Sequence, residues 1–343
     1  MNEKNYFHLS KVEIFVESKF AKIAQLASKW NVNLPLMGEP NSIYPECYEI
    51  VEPDTTSTSS SDVIGLKINQ NGAFGNSVIQ YANAIEIART AGVKFVQVSA
   101  GGLVELNEPL EIAGLTFLPA DSQLPTGGSF LKGYFFHAQA PGPSNPVERH
   151  NTIKNIVKRL FPSISSLQKP ERELSIHIRA GDIFSTWVHP DYVQPPLSFY
   201  ILLIETLFNQ GHADAIKLVF EDRRNPVVDP LEDYLLSRKI PYSCQSGTVV
   251  EDINSLINSK HMAFGYGTFG PAVCHFSDEI ETVFNFVPDG GQIFPQLPNV
   301  RRIYNVIDAE RAYMAVGSWR NTPEQRALMV NYPVGNLRVL EEM

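Results

Sequence analysis

The apolar positions of this chain change their spacing repeatedly, from a period of two to a period near 3.6 and back. Val63 to Ile68 alternates as a strand, Ser77 to Ala91 repeats at helical spacing and is closed by Gly92, and Lys94 to Val98 reads as a second strand. Together they predict a βαβ unit. Asn151 to Leu160 reads as a helix leading to the apolar run from Leu174. Beyond that run the spacing predicts helix Ser198 to Phe208, strand Ile216 to Phe220, helix Pro230 to Arg238, a short strand near Tyr242 and helix Glu251 to Asn258. Strand His261 to Phe264 and helix Gly270 to Phe276 follow. The rhythm predicts an α/β chain throughout the second half. Residues 11 to 30 carry Val12, Phe15, Val16, Phe20, Ile23 and Leu26 at helical spacing, which predicts an amphipathic helix packed on the next domain or docked on a membrane surface. The run T-T-S-T-S-S-S-D, Thr55 to Asp62, reads as a linker, and Gln168 to Pro170 as a hinge.

Within this pattern the stretch L-S-I-H-I-R-A-G-D, Leu174 to Asp182, is unusual. A period of two puts Leu174, Ile176 and Ile178 on one face and Ser175, His177 and Arg179 on the other. An imidazole and a guanidinium at the end of a core strand are costly to desolvate unless a partner meets them. The carboxyl end of a strand in an open α/β sheet is also where ligands bind. Arg179 can grip a phosphate with a bidentate fork, His177 can donate or accept a proton, and Asp182 can lock the loop or orient a partner. The alternative is a structural clip between Arg179 and Asp182. A four-position pattern such as H-x-R-x-G-D arises by chance in on the order of one chain in several hundred of this length, so it needs corroboration.

Three loops supply candidates. N-G-A-F-G-N, Asn71 to Asn76, puts Gly75 and Asn76 before a helix whose Ser77 and Gln80 form a capping-box pattern, although an ordinary tight loop reads the same way. Glu221 and Asp222 follow the strand ending at Phe220, a place suited to ribose hydroxyls or base N–H groups, or to a solvated turn. G-Y-G-T-F-G, Gly265 to Gly270, matches G-x-G-x-x-G between a strand and a helix. Its backbone N–H groups can cradle a phosphate, or its small residues can serve close helix–strand packing.

Composition narrows the classes. The 343 residues are 43% hydrophobic, enough for two packed cores, and the formal charge of −9 opposes a nucleic-acid-binding surface. Three scattered cysteines, Cys47, Cys244 and Cys274, have no metal-ligand spacing and point to a reducing, cytoplasmic setting. No window has the length of a membrane span, and the first residues lack the pattern of a signal peptide.

Taken in order, G-A-F-G-N-S-V-I-Q-Y-A, L-K-G-Y-F-F, H-I-R-A-G-D and D-I-N-S-L-I-N-S-K leading into Y-G-T-F-G-P-A resemble the landmarks of the α-1,2-fucosyltransferase family and its H-x-R-x-G-D relatives. The resemblance covers residues 63 to about 280. It implies two Rossmann-like halves facing a cleft (the GT-B type), a GDP-fucose donor held by the second half, a glycan acceptor, inversion at the anomeric carbon and no metal or other cofactor. The sequence has no D-x-D pair to hold a metal diphosphate. Carried over by position, Arg179 would bind the donor β-phosphate and His177 would contact the nucleotide-sugar. Thr268 and Phe269, between Gly267 and Gly270, would line the donor loop, and Gly75 and Asn76 would shape the cleft from the first half. Three departures stand out: Ala180 where linkage-typical members have a second Arg, T-F-G-P-A where they have T-F-S-W-W, and some sixty residues before the glycine loop.

The expected organisation is an N-terminal helix and linker over 1–60, an acceptor-side Rossmann-like domain over 61–168, a donor domain over 169–310 and a C-terminal segment over 311–343. Asp182, His189 and Asp191 are the candidate bases for the acceptor hydroxyl. Two other readings remain open: a nicotinamide-dependent oxidoreductase using G-Y-G-T-F-G, and a catalytically silent nucleotide- or carbohydrate-binding protein.

Overall fold

The computed structural model describes residues 21–35, 48–53, 62–141, 145–165, 172–209 and 211–342. The chain is α/β and divides into two compact units, Met1–Pro162 and Ser163–Met343, each built on a mixed, mostly parallel sheet.

The first unit contains helix α1 (residues 21–30) and strands β1 (Glu49–Val51), β2 (Val63–Ile68), β3 (Phe95–Gln97), β4 (Leu110–Ile112), β5 (Leu115–Leu118) and β6 (Ser129–Gly133), with helices α2 (Phe74–Ala91) and α3 (Pro146–Asn155). The sheet order is β1-β6-β2-β3-β5-β4, with β6, β2, β3 and β5 parallel and the two edge strands antiparallel. Strand β2 has its expected bounds. Helix α2 begins three residues before the expected Ser77 and has no capping box. Ala73 is the N-cap and has no side-chain acceptor to offer, and Ser77, now inside the helix, donates its Oγ to the Gly72 carbonyl (2.9 Å). The Gln80 side chain bonds elsewhere, its Nε2 donating to the Gln70 carbonyl (2.9 Å) and its Oε1 accepting from Phe135 N (3.1 Å). The amide therefore ties the loop after β2 to the segment after β6.

The expectation that residues 1–60 form an added helix and linker is corrected for the part that is described. Ile23, Trp30 and Leu34 are buried, and Asn33 and Gln139 exchange backbone hydrogen bonds of 2.8 and 3.0 Å. Tyr48 is buried with its ring against Phe135 (5.4 Å between centroids), and its hydroxyl donates to the Tyr134 carbonyl (3.1 Å). Strand β1 then extends the sheet beside β6. The stretch is thus core and sheet of the first unit. Residues 11–20, the linker before Asp62 and the hinge Gln168 to Pro170 lie outside the described residues.

The second unit contains β7 (Glu173–Ile178), β8 (Ala215–Phe220), β9 (Tyr242–Gln245), β10 (His261–Phe264), β11 (Thr282–Val287), β12 (Arg302–Asp308) and β13 (Leu337–Glu342). Its helices are α4 (Leu197–Asn209), α5 (Val228–Ser237), α6 (Val249–Leu256), α7 (Phe269–Phe276) and α8 (Pro323–Asn331). The sheet order is β13-β12-β11-β10-β7-β8-β9, parallel except for β13. Counted from β7, the six parallel strands lie in the order 3-2-1-4-5-6, the doubly wound order of nucleotide-binding sheets. The chain runs outward through β8 and β9, returns to β10 on the other side of β7, and runs outward again. Strands β7 and β10 therefore flank the point where the order reverses. Leu174, Ser175 and Ile176 are buried, as expected for a central strand covered on both faces.

Residues 311–343, expected as a separate C-terminal segment, belong to this unit. Strand β13 completes the sheet, and Trp319 is fully buried with its indole N–H donating to the Ile183 carbonyl (2.9 Å). Among the described residues no helix is long and apolar enough to cross a membrane.

Candidate functional site

The carboxyl ends of β7 and β10 bring most of the sequence-predicted residues of the second unit together. Ile178 ends β7 in the core, and Arg179 is the first side chain beyond it. Its backbone is anchored by buried Asn225, whose amide donates to the Arg179 carbonyl (2.8 Å). Its guanidinium lies over the Tyr192 ring, with Cζ 4.1 Å from the centroid, a cation–π contact that aims the fork. Asp182 Oδ1 is 3.5 Å from the same guanidinium, at the limit of a hydrogen bond, and the carboxylate is 73% exposed. A solvated pair of that length is a weak tether. Arg179 is thus positioned by an aromatic shelf and a buried amide more than by Asp182.

Two glycines shape the loops. Gly181 has φ +66°, and a Cβ there would collide with the Glu221 carboxylate, so only glycine lets the chain turn into the short 3-10 helix that carries Asp182. Gly267 has φ +141°, and a Cβ there would lie 3.5 Å from an Arg179 guanidinium nitrogen. The glycine loop after β10 therefore faces Arg179. The motif's other glycines have packing roles: a Cβ on Gly265 would strike the Gln194 amide and one on Gly270 the Phe264 ring. This weakens the dinucleotide-fingerprint reading of G-Y-G-T-F-G and leaves Gly267 as the residue that gives a ligand room. Thr268 is the N-cap of α7 with no side-chain cap bond, and the first N–H groups of α7 lie at this end of the sheet.

Phe269, the first residue of α7, stacks on His177 with centroids 4.3 Å apart and 21° between planes, and Phe264 stands 6.2 Å away. Burial, followed by the positive charge of Arg179, pushes the His177 pKa down to about 3. The imidazole is therefore neutral at physiological pH. It can serve as a hydrogen-bond partner but not as a proton donor of the imidazolium kind, which narrows the role expected for it. Phe269 covers one face of the half-buried imidazole.

Asp222 and Glu221 follow β8, next to β7, and differ from each other. Partial burial raises the Asp222 carboxyl pKa. Hydrogen bonds from the Arg224 side chain (2.7 Å), its backbone N–H (2.9 Å) and the Gly181 N–H (3.5 Å) outweigh that and hold it below the usual range. Asp222 is thus taken up by Arg224, with only a long contact to the Gly181 N–H. Glu221 is exposed at the same edge, with its backbone carbonyl accepting from Ser246 Oγ (3.1 Å). Ala180 is 2% exposed, so the residue after Arg179 is sealed into the core.

Gly75 and Asn76 lie in the other unit, in the first turn of α2, where Gly75 is buried and Asn76 half-buried. Their neighbour Asn71 laces this loop to the end of β3, donating to the Ser99 (3.1 Å) and Gly101 (2.6 Å) carbonyls and accepting from the Tyr81 hydroxyl (3.0 Å).

Of the candidate bases, Asp191 accompanies His189 (Nδ1 to Oδ2 3.6 Å), and its backbone N–H donates to His189 Nδ1 at 3.3 Å. A neutral His189 therefore carries its proton on Nε2. Asp182 and Asp191 are both open to solvent, at 73% and 49% side-chain exposure. Sequence reasoning missed Tyr192 and Asn225, the two residues that set Arg179. The only signal was their company, Tyr192 in an aromatic-polar run and Asn225 three residues beyond Asp222. Comparison with family models, with curated proteins and with solved structures gives no match.

Proposed function

We propose that the second unit binds a nucleoside diphosphate-sugar at the ends of β7 and β10, and that the protein is a metal-independent, inverting glycosyltransferase of the fucosyltransferase-like kind, acting from GDP-fucose on a glycan hydroxyl. The observation that carries the reading is the convergence of the Arg179 fork, the open backbone at Gly267 and the α7 N-terminus at the strand-order reversal of a doubly wound sheet. In sugar transfer, negative charge develops on the leaving diphosphate. Arg179 and the amides after Gly267 are preorganised to meet it there. Asp182 or Asp191 takes the proton of the attacking hydroxyl, and neutral His177 supports the donor by hydrogen bonding. A GT-B arrangement of the two halves, with the donor held by the second, is part of this proposal.

A thermal-shift panel of GDP, UDP, CDP, ADP and their sugars, run with a chelator, tests it. A ligand that binds the native state raises Tm by linkage. GDP or GDP-fucose raising Tm in chelator is the expected result. Stabilisation by UDP-sugars alone, or only with added divalent metal, sinks the fucosyl reading.

A further inference from the structure

The loop that leaves the Arg179 site carries an indole that no described residue covers. Trp187 is 92% exposed, while the two other tryptophans of the chain, Trp30 and Trp319, are 7% and 0% exposed. A lone exposed aromatic is ordinary on a protein surface, so its exposure matters only if the fold holds it there. It does. Buried Trp319 grips the loop at both ends, its indole N–H donating to the Ile183 carbonyl (2.9 Å) and its backbone N–H to the Pro190 carbonyl (3.1 Å). Between these clamps Asn321 donates to the Ser185 carbonyl (3.0 Å), and Ser185 Oγ donates to the Trp187 carbonyl itself (2.8 Å). The loop leaves the site at Asp182 and returns to it at Asp191 and Tyr192, the shelf under Arg179.

We infer that Trp187 is the stacking platform for a neutral sugar ring of the acceptor, on the rim of the donor site. A pyranose offers an apolar C–H face, suited to an indole, and a ring of hydroxyls. The solvent-open carboxylates that bracket the loop, Asp182 and Asp191, accept from such hydroxyls and repel an anionic acceptor. That the ring belongs to an acceptor rests on the transferase reading above. That Trp187 takes a sugar does not.

The exposure pattern supplies the assay, because acrylamide reaches Trp187 and not the two buried indoles. Tryptophan emission of the full chain is quenched with acrylamide in the presence of the methyl glycosides of galactose, glucose, mannose and N-acetylglucosamine, each with and without GDP. At least one glycoside is expected to shield the quenchable emission and shift it to the blue, and Trp187→Ala to abolish that response. With GDP-fucose turnover, Trp187→Ala should raise the acceptor KM about tenfold, as for a central aromatic contact, with GDP affinity unchanged and Trp187→Phe recovering most of the loss. The inference is overturned if none of the four glycosides shields Trp187, if GDP alone shields it, or if Trp187→Ala leaves the acceptor KM unmoved. The two readings fail separately: GDP binding without sugar shielding removes the platform and keeps the donor site, and sugar shielding without nucleotide binding does the reverse.

Discussion

Replacing Arg179 with Ala separates a binding residue from a structural clip, and the geometry sets the scale of both effects. The contact with Asp182 is 3.5 Å long to a carboxylate that is 73% exposed, so its loss costs about 0–1 kcal/mol. The contact with Tyr192 adds roughly 0.5–2 kcal/mol. Asn225 bonds the backbone of residue 179 and is retained in the variant. For a unit of this size each kcal/mol moves Tm by about 2–4 °C, so the combined loss of roughly 0.5–3 kcal/mol should lower it by about 1–12 °C without unfolding the unit. Nucleotide affinity should respond far more. Charge-assisted bonds contribute roughly 1.5–3 kcal/mol each, and loss of a bidentate pair should weaken GDP by about 10²-fold or more. Arg179→Lys keeps the charge without the fork and should recover part of it. Calorimetric titration of GDP in chelator, beside a melting curve for each variant, reads both quantities. An alanine variant that loses much of its stability, yet binds GDP normally per folded molecule, refutes the assignment.

Three further outcomes follow from the same contacts. Gly181→Ala forces a Cβ into a left-handed turn, at a backbone cost on the order of 1–2 kcal/mol, and onto the Glu221 carboxylate, which adds to that loss and lowers Tm further. Adding Glu221→Ala should remove the collision and leave the backbone part of the loss. A chain beginning at Ser61 lacks Ile23, Trp30, Leu34, Tyr48 and β1, so its first unit should melt earlier or fail to fold, while nucleotide affinity of the second unit is retained. An unchanged melting profile would show that the N-terminal stretch is not part of that core. Because the folded chain holds His177 neutral down to about 3, whereas the unfolded chain takes up a proton below about 6.5, the stability it contributes is present above 6.5 and lost as pH falls toward 3. In that window His177→Phe should flatten stability against pH by up to about 1.4 kcal/mol per pH unit, measured by urea unfolding at several pH values.

What was legible in the sequence was local. Strands Val63–Ile68 and His261–Phe264 have the bounds that their alternation predicts, and Gly92 closes α2 as its position suggests. The α/β rhythm of the second half is likewise written in period changes. Pairings between distant segments were not legible. Strand β1 docks on β6 some eighty residues later, and β13 returns antiparallel to β12 after the helix α8, and neither pairing has a local period. The capping box at Ser77 failed for a related reason, since Gln80 spends its side chain on Gln70 and Phe135. At the site, the sequence named Arg179 and Gly267 but could not show that Asp222 is taken by Arg224, or that Tyr192 and Asn225 hold the arginine. These are choices among alternative partners, made only when the strands are assembled.

Whether a nucleoside diphosphate sits between the loops after β7 and β10 is tested most directly by hydrogen exchange of the full chain with and without GDP. Amides in a preorganised phosphate cradle lose access to solvent when it is filled, so exchange should slow over residues 179–184 and 265–270. The segments around Lys29 and Lys94, which line a separate cleft of about 620 Å³ in the first unit, should not change. Protection confined to that cleft, or GDP binding that leaves both loops exchanging as before, contradicts the proposed site.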